Sequence, residues 1–339
     1  MHMPRRVCVL SDGAWATTIA DLLARKGVAV ELWCEFPEVA QQIRDHRVNE
    51  KFLPDVTLHE GVSPVTQMSE AVATAELVVF TKPVLYLRPH VERVAGFLRR
   101  DQVLLSVAKG IENSSLLRAS QIIDQVTGRH DIAMMLGPSH AEEVARRLPA
   151  SVVAAAEEMS LAEYIQTVFT TDRFRVYTSD DTVGTEIGAC IKNVVAIAAG
   201  VCEGLGFGDN SRSALLTRGL AEIRRLGVAM GARPETFSGL TGIGDLITTC
   251  VSPYGRNRRV GLEIGRGKKL SQVLEEMGSV VPEGVWTTKS AVQLAERHDV
   301  EMPITEEVYR VLFEDKPPLE AVSDLMMREP KSEVEGLAD

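Results

Sequence analysis

Lys192 and Asn193 stand inside Ile187-Gly-Ala-Cys-Ile-Lys-Asn-Val-Val-Ala-Ile197, a run that is otherwise apolar and of helical period. A charged amine buried there is unfavourable by several kcal/mol unless it is paired or neutral. Desolvation lowers a lysine pKa, and a second cation nearby lowers it further. An amine in that state can give a proton to a developing alkoxide and take it back in the reverse direction. The competing reading is a lysine whose stem packs while its amine reaches water.

Other residues offer to complete such a site. Lys109 follows the run Val103–Val107, which reads as a strand, so it stands at a carboxyl strand end, where open parallel sheets bind ligands. Gly137-Pro-Ser139-His-Ala141 follows Ile132–Leu136 in the same way and opens a helix, offering backbone N–H groups and a hydroxyl to a polar ligand. Gly239-Leu-Thr-Gly-Ile-Gly-Asp245-Leu-Ile-Thr-Thr249 is a glycine-rich joint before an acid. Asp245 is placed either to hydrogen-bond Lys192 or a substrate hydroxyl, or simply to cap a helix. Tyr254-Gly255-Arg256-Asn257-Arg-Arg259 puts a basic cluster at a helix start, where the macrodipole disfavours cations; that points to an anionic ligand, and Arg suits bidentate phosphate recognition.

A second chemistry lies at the amino end. Arg6–Leu10 runs into Ser11-Asp-Gly13-Ala14-Trp15-Ala16 and then a helical pattern, the context of a dinucleotide-binding turn. Gly13 allows backbone to approach a pyrophosphate, Ala16 fits the third glycine position, and Ser11 stands where glycine is usual. Glu35, about 20 residues further on, is placed to accept hydrogen bonds from a ribose and to repel a 2′-phosphate, so NAD is favoured, with NADP possible. The plain alternative for Glu35 is a solvated loop acid.

The elements needed to position these groups are legible. The runs Arg6–Leu10, Val28–Trp33, Leu77–Phe80, Val103–Val107, Ile132–Leu136 and Ser151–Ala155 are apolar throughout, as in strands buried on both faces. Helical patterns at Ala16–Lys26, Leu85–Leu98 and Ser114–Val126 alternate with them, which predicts a mostly parallel sheet wrapped by helices. From Val183 the texture is helical, with Glu186–Cys202, Ser213–Met230, Arg258–Arg266, Leu270–Met277, Thr287–Arg297 and Thr305–Leu312. The expectation is α/β: a Rossmann-type doubly wound domain over residues 1–190, then an all-α substrate domain over 191–339, with Lys192 where the two should meet. The polar stretch Pro330–Asp339 reads as a frayed tail.

Bulk composition narrows the class. The 339 residues, 45% hydrophobic and 25% charged, suit a globular protein with room for two domains. A net charge of -10 argues against nucleic acid and anionic membranes as general partners, so a phosphate substrate needs local cations. Cys8, Cys34, Cys190, Cys202 and Cys250 are scattered, with no zinc or disulfide spacing. No metal, no membrane insertion and a cytoplasmic location are expected.

Several strings resemble one known family in order and spacing: Ser106-Val-Ala-Lys-Gly-Ile-Glu112, Gly137-Pro-Ser-His-Ala-Glu-Glu-Val-Ala145, Ile191-Lys-Asn-Val-Val-Ala-Ile-Ala-Ala-Gly200, Thr217-Arg-Gly-Leu-Ala-Glu222, Gly242-Ile-Gly-Asp-Leu246, Gly255-Arg-Asn-Arg-Arg259, Glu283-Gly-Val285 and Met302-Pro-Ile-Thr305. The chain is similar to the bacterial NAD(P)-dependent glycerol-3-phosphate dehydrogenases over nearly its whole length. The resemblance implies reversible reduction of dihydroxyacetone phosphate to sn-glycerol 3-phosphate, feeding lipid synthesis, in a homodimer. It implies that Lys192 is the acid/base and that Lys109 touches substrate and cofactor. It places Gly137, Ser139, Asp245, Arg256 and Asn257 at the substrate, and Ala14, Trp15, Ala141, Val281 and Glu283 at the cofactor; Asn193, Thr249 and Gly255 join the candidate substrate residues, and Gly13, Glu35 and Arg256 the candidate cofactor residues. The chain departs from the family at Ser11, Ala16, Glu35, His140 and Gly255. The competing readings are another hydroxy-acid dehydrogenase of the same fold and a nucleotide-binding relative without turnover.

Overall fold

A computed structural model describes residues 2–278, 281–330 and 332–333, so most of the stretch read as a frayed tail lies outside the described residues. They group into two compact units: residues 1–108 with 119–182, and residues 109–118 with 183–339.

The first unit is built on β1 (Arg6–Leu10), β2 (Ala29–Trp33), β3 (Val62–Val65), β4 (Leu77–Phe80), β5 (Val103–Ser106), β6 (Ile132–Leu136), β7 (Ala150–Ala155) and β8 (Phe174–Ser179). They form one sheet in the order β3-β2-β1-β4-β5-β6-β7-β8. All neighbours are parallel except β6 and β7, where Leu136 faces Val153 in antiparallel register. The order reverses beside β1, which makes the carboxyl end of β1 the switch point where ligands of such sheets bind. Helices α1 (Ala14–Arg25), α2 (Pro37–His46), α3 (Met68–Ala73), α4 (Val84–Ala95), α5 (Ala119–Thr127), α6 (Ala141–Ala145) and α7 (Met159–Phe169) complete the unit.

The all-apolar runs identified from sequence are the inner strands, whose side chains are buried on both faces: β4 is buried at every position and so is β6. The two strands not foreseen are edge strands, which need only one apolar face. In β8, Phe174 and Val176 point inward while Arg175 and Tyr177 are exposed. In β3, Pro64 stands opposite Leu32, which an edge tolerates because the outer side needs no N–H donor.

The second unit is helical: α8 (Thr182–Gly204), α9 (Asp209–Ala229), α10 (Asp245–Val251), α11 (Arg256–Gly265), α12 (Leu270–Met277), α13 (Glu283–Arg297), α14 (Pro303–Phe313) and α15 (Pro318–Met326), with a π-type turn at Leu240–Gly244. By length and composition α8 could cross a membrane. Every residue from Gly184 to Val201 is buried, however, which marks α8 as the core helix of this unit. It meets α11 backbone to backbone: a Cβ added to Gly200 would stand 2.0 Å from the Arg258 carbonyl oxygen, and one added to Gly261 would stand 1.9 Å from that of Ile197. No other residue fits at those two crossings. The close approach holds the helix carrying Lys192 against the helix that begins at Arg256.

Candidate active site

In the second unit a single carboxylate organises two amines. Lys192 Nζ donates to Asp245 Oδ1 at 2.6 Å, and Lys109 Nζ donates to Asp245 Oδ2 at 2.8 Å. Lys192 also donates to the Thr249 hydroxyl, which in turn donates to the Asp245 carbonyl oxygen at 2.7 Å. Lys192 is 4% exposed and Asp245 2%, whereas the Lys109 side chain keeps 20% of its surface open. Asp245 is the first residue of α10, with Gly244 at the cap position, so it is no plain helix cap.

Burial pulls the Lys192 amine down to about 8, and the Lys109 charge adds to this while Asp245 opposes it. Burial alone would raise the Asp245 carboxyl, but Lys109 and Lys192 outweigh it and hold the group below its ordinary value. The arrangement is a buried, pre-oriented amine that can exist in both protonation states near neutral pH.

Sequence reasoning did not see what anchors Lys109. Several bonds clip the segment 109–118 to the helical unit. Cys190 Sγ accepts from the Gly110 N–H at 2.8 Å, Arg118 pairs with buried Glu186 at 2.6 Å, and the Ser290 hydroxyl donates to the Ile111 carbonyl at 3.1 Å. Those partners lie 68 to 179 positions away along the chain, so no local pattern announces them.

The Arg-Asn pair opens α11 beside the start of α13. The Gly284 N–H donates to Asn257 Oδ1 at 2.9 Å, which orients the Asn257 amide so that its NH2 group is the part able to donate to an anion. A Cβ at Gly284 would lie 2.6 Å from the Asn193 carbonyl oxygen, so Asn193, Gly284 and Asn257 are in close contact. Asn193 is 3% exposed, and its side-chain nitrogen has no partner among the described residues. A buried donor left without an acceptor is rare in folded proteins and suits a polar ligand. Burial raises the Glu283 carboxyl, and the charges of Arg256, Lys109 and Lys192 all act to lower it, which places Glu283 among them. Arg256 itself is exposed, and Val281 is half-buried. Gly255 is not a free donor, since its N–H reaches the Ser252 carbonyl at 3.1 Å; a Cβ added there would stand 2.8 Å from the Thr249 carbonyl oxygen, so the start of α11 packs closely on α10.

The turn in the first unit fits a dinucleotide. Helix α1 opens at Gly13 with no side-chain cap and no acid in its first turn, which leaves its amides for phosphate oxygens. A Cβ at Gly13 would meet only the Ser11 hydroxyl, at 3.8 Å, so the space before the helix is open. Ser11 adopts φ 153°, a conformation that favours glycine, and its hydroxyl accepts the Gly13 N–H at 3.3 Å. Trp15, half-buried, packs 6.3 Å from the Phe174 ring. Gly137 has φ 140° with the Val152 Cα 3.1 Å from any added Cβ, so only glycine serves there. The Ser139 hydroxyl donates to the Gly137 carbonyl at 3.1 Å, which leaves it able to accept. Ala141 begins α6, and its carbonyl accepts from the Thr18 hydroxyl at 3.2 Å, tying that turn to α1. Glu35 is exposed and held by Lys82.

Comparison with known proteins now bears on these features. The family model described as NAD-dependent glycerol-3-phosphate dehydrogenase N-terminus matches residues 6–162, and the corresponding C-terminus model matches residues 181–323. The chain belongs to the NAD-dependent glycerol-3-phosphate dehydrogenase family. It is 46% identical over 334 residues to the glycerol-3-phosphate dehydrogenase [NAD(P)+] of Geobacter sp. (strain M21), covering 98% of this chain and 99% of the relative. The enzyme of the same name from Moorella thermoacetica is 46% identical over 333 residues, with 98% and 99% covered. The crystal structure of glycerol-3-phosphate dehydrogenase from Coxiella burnetii superposes with a TM-score of 0.91 at 33% identity, covering 96% of this chain and 99% of that one. The resemblance read from the short motifs is therefore borne out as family membership, and so is the doubly wound α/β plus helical architecture.

Proposed function

We propose that the protein is an NAD(P)-dependent glycerol-3-phosphate dehydrogenase that reduces dihydroxyacetone phosphate to sn-glycerol 3-phosphate, reversibly. The observation that carries this reading is the buried Lys192 amine, held by Asp245 and Thr249 beside Lys109. When bound, the nicotinamide supplies the reducing equivalent to the substrate carbonyl carbon. The first unit holds the dinucleotide, through the turn at Gly13, Ala14 and Trp15, with Glu35 at the ribose and Ala141 close by. In the second unit, Lys109, Arg256, Val281 and Glu283 are the candidates for contact with the cofactor.

The second unit supplies the proton and the substrate grip. Lys192 protonates the carbonyl oxygen as negative charge develops there. Asp245 fixes the direction of that amine, and Lys109 keeps its pKa low. Arg256 and the Asn257 amide bind the phosphate, and the unpartnered Asn193 nitrogen donates to a substrate oxygen, so binding energy remote from the reacting carbon orients it. Thr249 and Gly255 shape this seat; in the first unit, Gly137 and Ser139 are the candidates for substrate contact. A homodimer, a cytoplasmic location without membrane insertion and a product destined for lipid synthesis complete the proposal.

The test is a comparison of dihydroxyacetone phosphate, ketopantoate and 6-phosphogluconate as substrates. Turnover with the triose phosphate, lost in Lys192→Ala while the cofactor still binds, is the expected result. No turnover with the triose phosphate, or turnover with another of the three instead, would sink the reading.

A further inference from the structure

A group of charged and aromatic side chains sits at the switch point of the sheet. Glu35 lies two residues past the end of β2, and Lys82 two residues past the end of β4. These strands flank β1 on either side, so the ion pair between Lys82 and Glu35 spans the carboxyl end of β1, where the Ser11–Gly13 turn begins. Arg93, on α4, stands 3.8 Å from the other Glu35 oxygen. Both cations rest on Trp33: the Arg93 guanidinium is 5.4 Å and the Lys82 amine 6.0 Å from its ring centre. His90 packs against the same ring at 5.3 Å; it is 4% exposed, and neither of its ring nitrogens has a partner among the described residues.

Asp12, which also lies near Lys82 and Glu35, accepts from the Phe36 N–H at 3.0 Å through its carboxylate and is 1% exposed. Asp12 is therefore committed to the backbone, and Lys82 and Arg93 face Glu35 as two cations against one accessible carboxylate. Glu35 sits on an exposed loop and can turn outward; Trp33 supports the two cations, and the Lys82 side chain is only 14% exposed.

We propose that Lys82 and Arg93 determine cofactor selectivity, with Glu35 acting as a carboxylate that occupies their site when no 2′-phosphate is present. With NAD, Lys82 holds Glu35 where its oxygens accept from the ribose hydroxyls. With NADP, the phosphate takes the place of the Glu35 carboxylate and receives hydrogen bonds from Lys82 and Arg93. An acid at the end of β2 then does not exclude NADP, and the chain accepts both cofactors. This rests on the dehydrogenase reading for the presence of a dinucleotide, and it is tested by binding alone.

The experiment is calorimetric titration of the full chain with NAD+ and with NADP+, in the native protein and in Lys82→Met, Lys82→Arg and Arg93→Ala, each variant checked for an unchanged melting temperature. Lys82→Met keeps the apolar stem over Trp33. Loss of a charge-assisted bond should weaken NADP+ relative to NAD+ about tenfold or more in Lys82→Met. Lys82→Arg should restore the native ratio, and Glu35→Gln should move it towards NADP+. An unchanged ratio in Lys82→Met, or an equal loss for both nucleotides, would overturn the proposal and leave Lys82 as a brace for the loop. If the ratio shifts as expected but dihydroxyacetone phosphate is not reduced, only the substrate reading fails.

Discussion

Asp245 holds Lys192 by one carboxylate oxygen, at 2.6 Å, and gives the other oxygen to a competing amine. A carboxylate shared in this way fixes the direction of the Lys192 amine without fully stabilising its charge. Burial above all, with the Lys109 charge beside it, pulls that amine down to about 8, and Asp245 opposes the shift.

The pH dependence follows with a definite sign. Reduction needs the protonated Lys192, whose pKa is pulled down to about 8. The kcat/KM for reduction should be level below that pH and fall above it, and that for oxidation should rise through the same range. Asp245 raises the Lys192 pKa, so Asp245→Asn should shift both limbs to lower pH. Lys192→Ala should lower kcat roughly 10²–10⁴-fold. Steady-state rates across pH check all of this, and a limb that stays in place in Asp245→Asn would contradict the assignment.

The crossing of α8 and α11 couples stability to the site. In Gly261→Ala the new methyl would press on the Ile197 carbonyl, 1.9 Å from its ideal position. Forcing the helices apart should be destabilising by about 1–3 kcal/mol. Because α8 carries Lys192 and α11 starts with Arg256, the KM for dihydroxyacetone phosphate should rise as well. Urea unfolding and substrate saturation curves test the pairing of the two effects.

Ser11 offers a clean comparison of strain. Ser11→Ala and Ser11→Gly both remove the hydroxyl that accepts the Gly13 N–H, but only glycine relaxes at φ 153°. Relief of strain less the entropy of a freer unfolded chain should leave the Gly variant more stable than the Ala variant by about 1 kcal/mol. Equal melting temperatures would show that this conformation carries no strain.

Glu222 is another buried ionisable group, and its part is structural. Its carboxylate, 2% exposed on α9, accepts from the Ile304 N–H at 2.6 Å, the Thr305 N–H at 3.1 Å and the Thr305 hydroxyl at 3.0 Å, capping α14 from another helix. Glu222→Ala leaves those donors buried and unpaired, so it should be destabilising by roughly 3 kcal/mol. Chemical denaturation measures the loss, and a change within error of zero would rule out the capping role.

The sequence by itself determined the inner strands, the change to helices near Val183 and the presence of an amine in an apolar helix. Each of these is written in local periodicity, which depends only on which residues face the core. Short motifs in the right order also determined the family. The tertiary structure decided what each charge touches. The two amines on Asp245, the clip between Cys190 and Gly110 and the bridge from Glu35 to Lys82 join residues 47 to 136 positions apart. Such partners are chosen by how strands and helices stack in space, and a one-dimensional pattern carries no record of that choice. The edge strands were hidden for a related reason, because an edge needs only one apolar face and β8 alternates where the inner strands run unbroken.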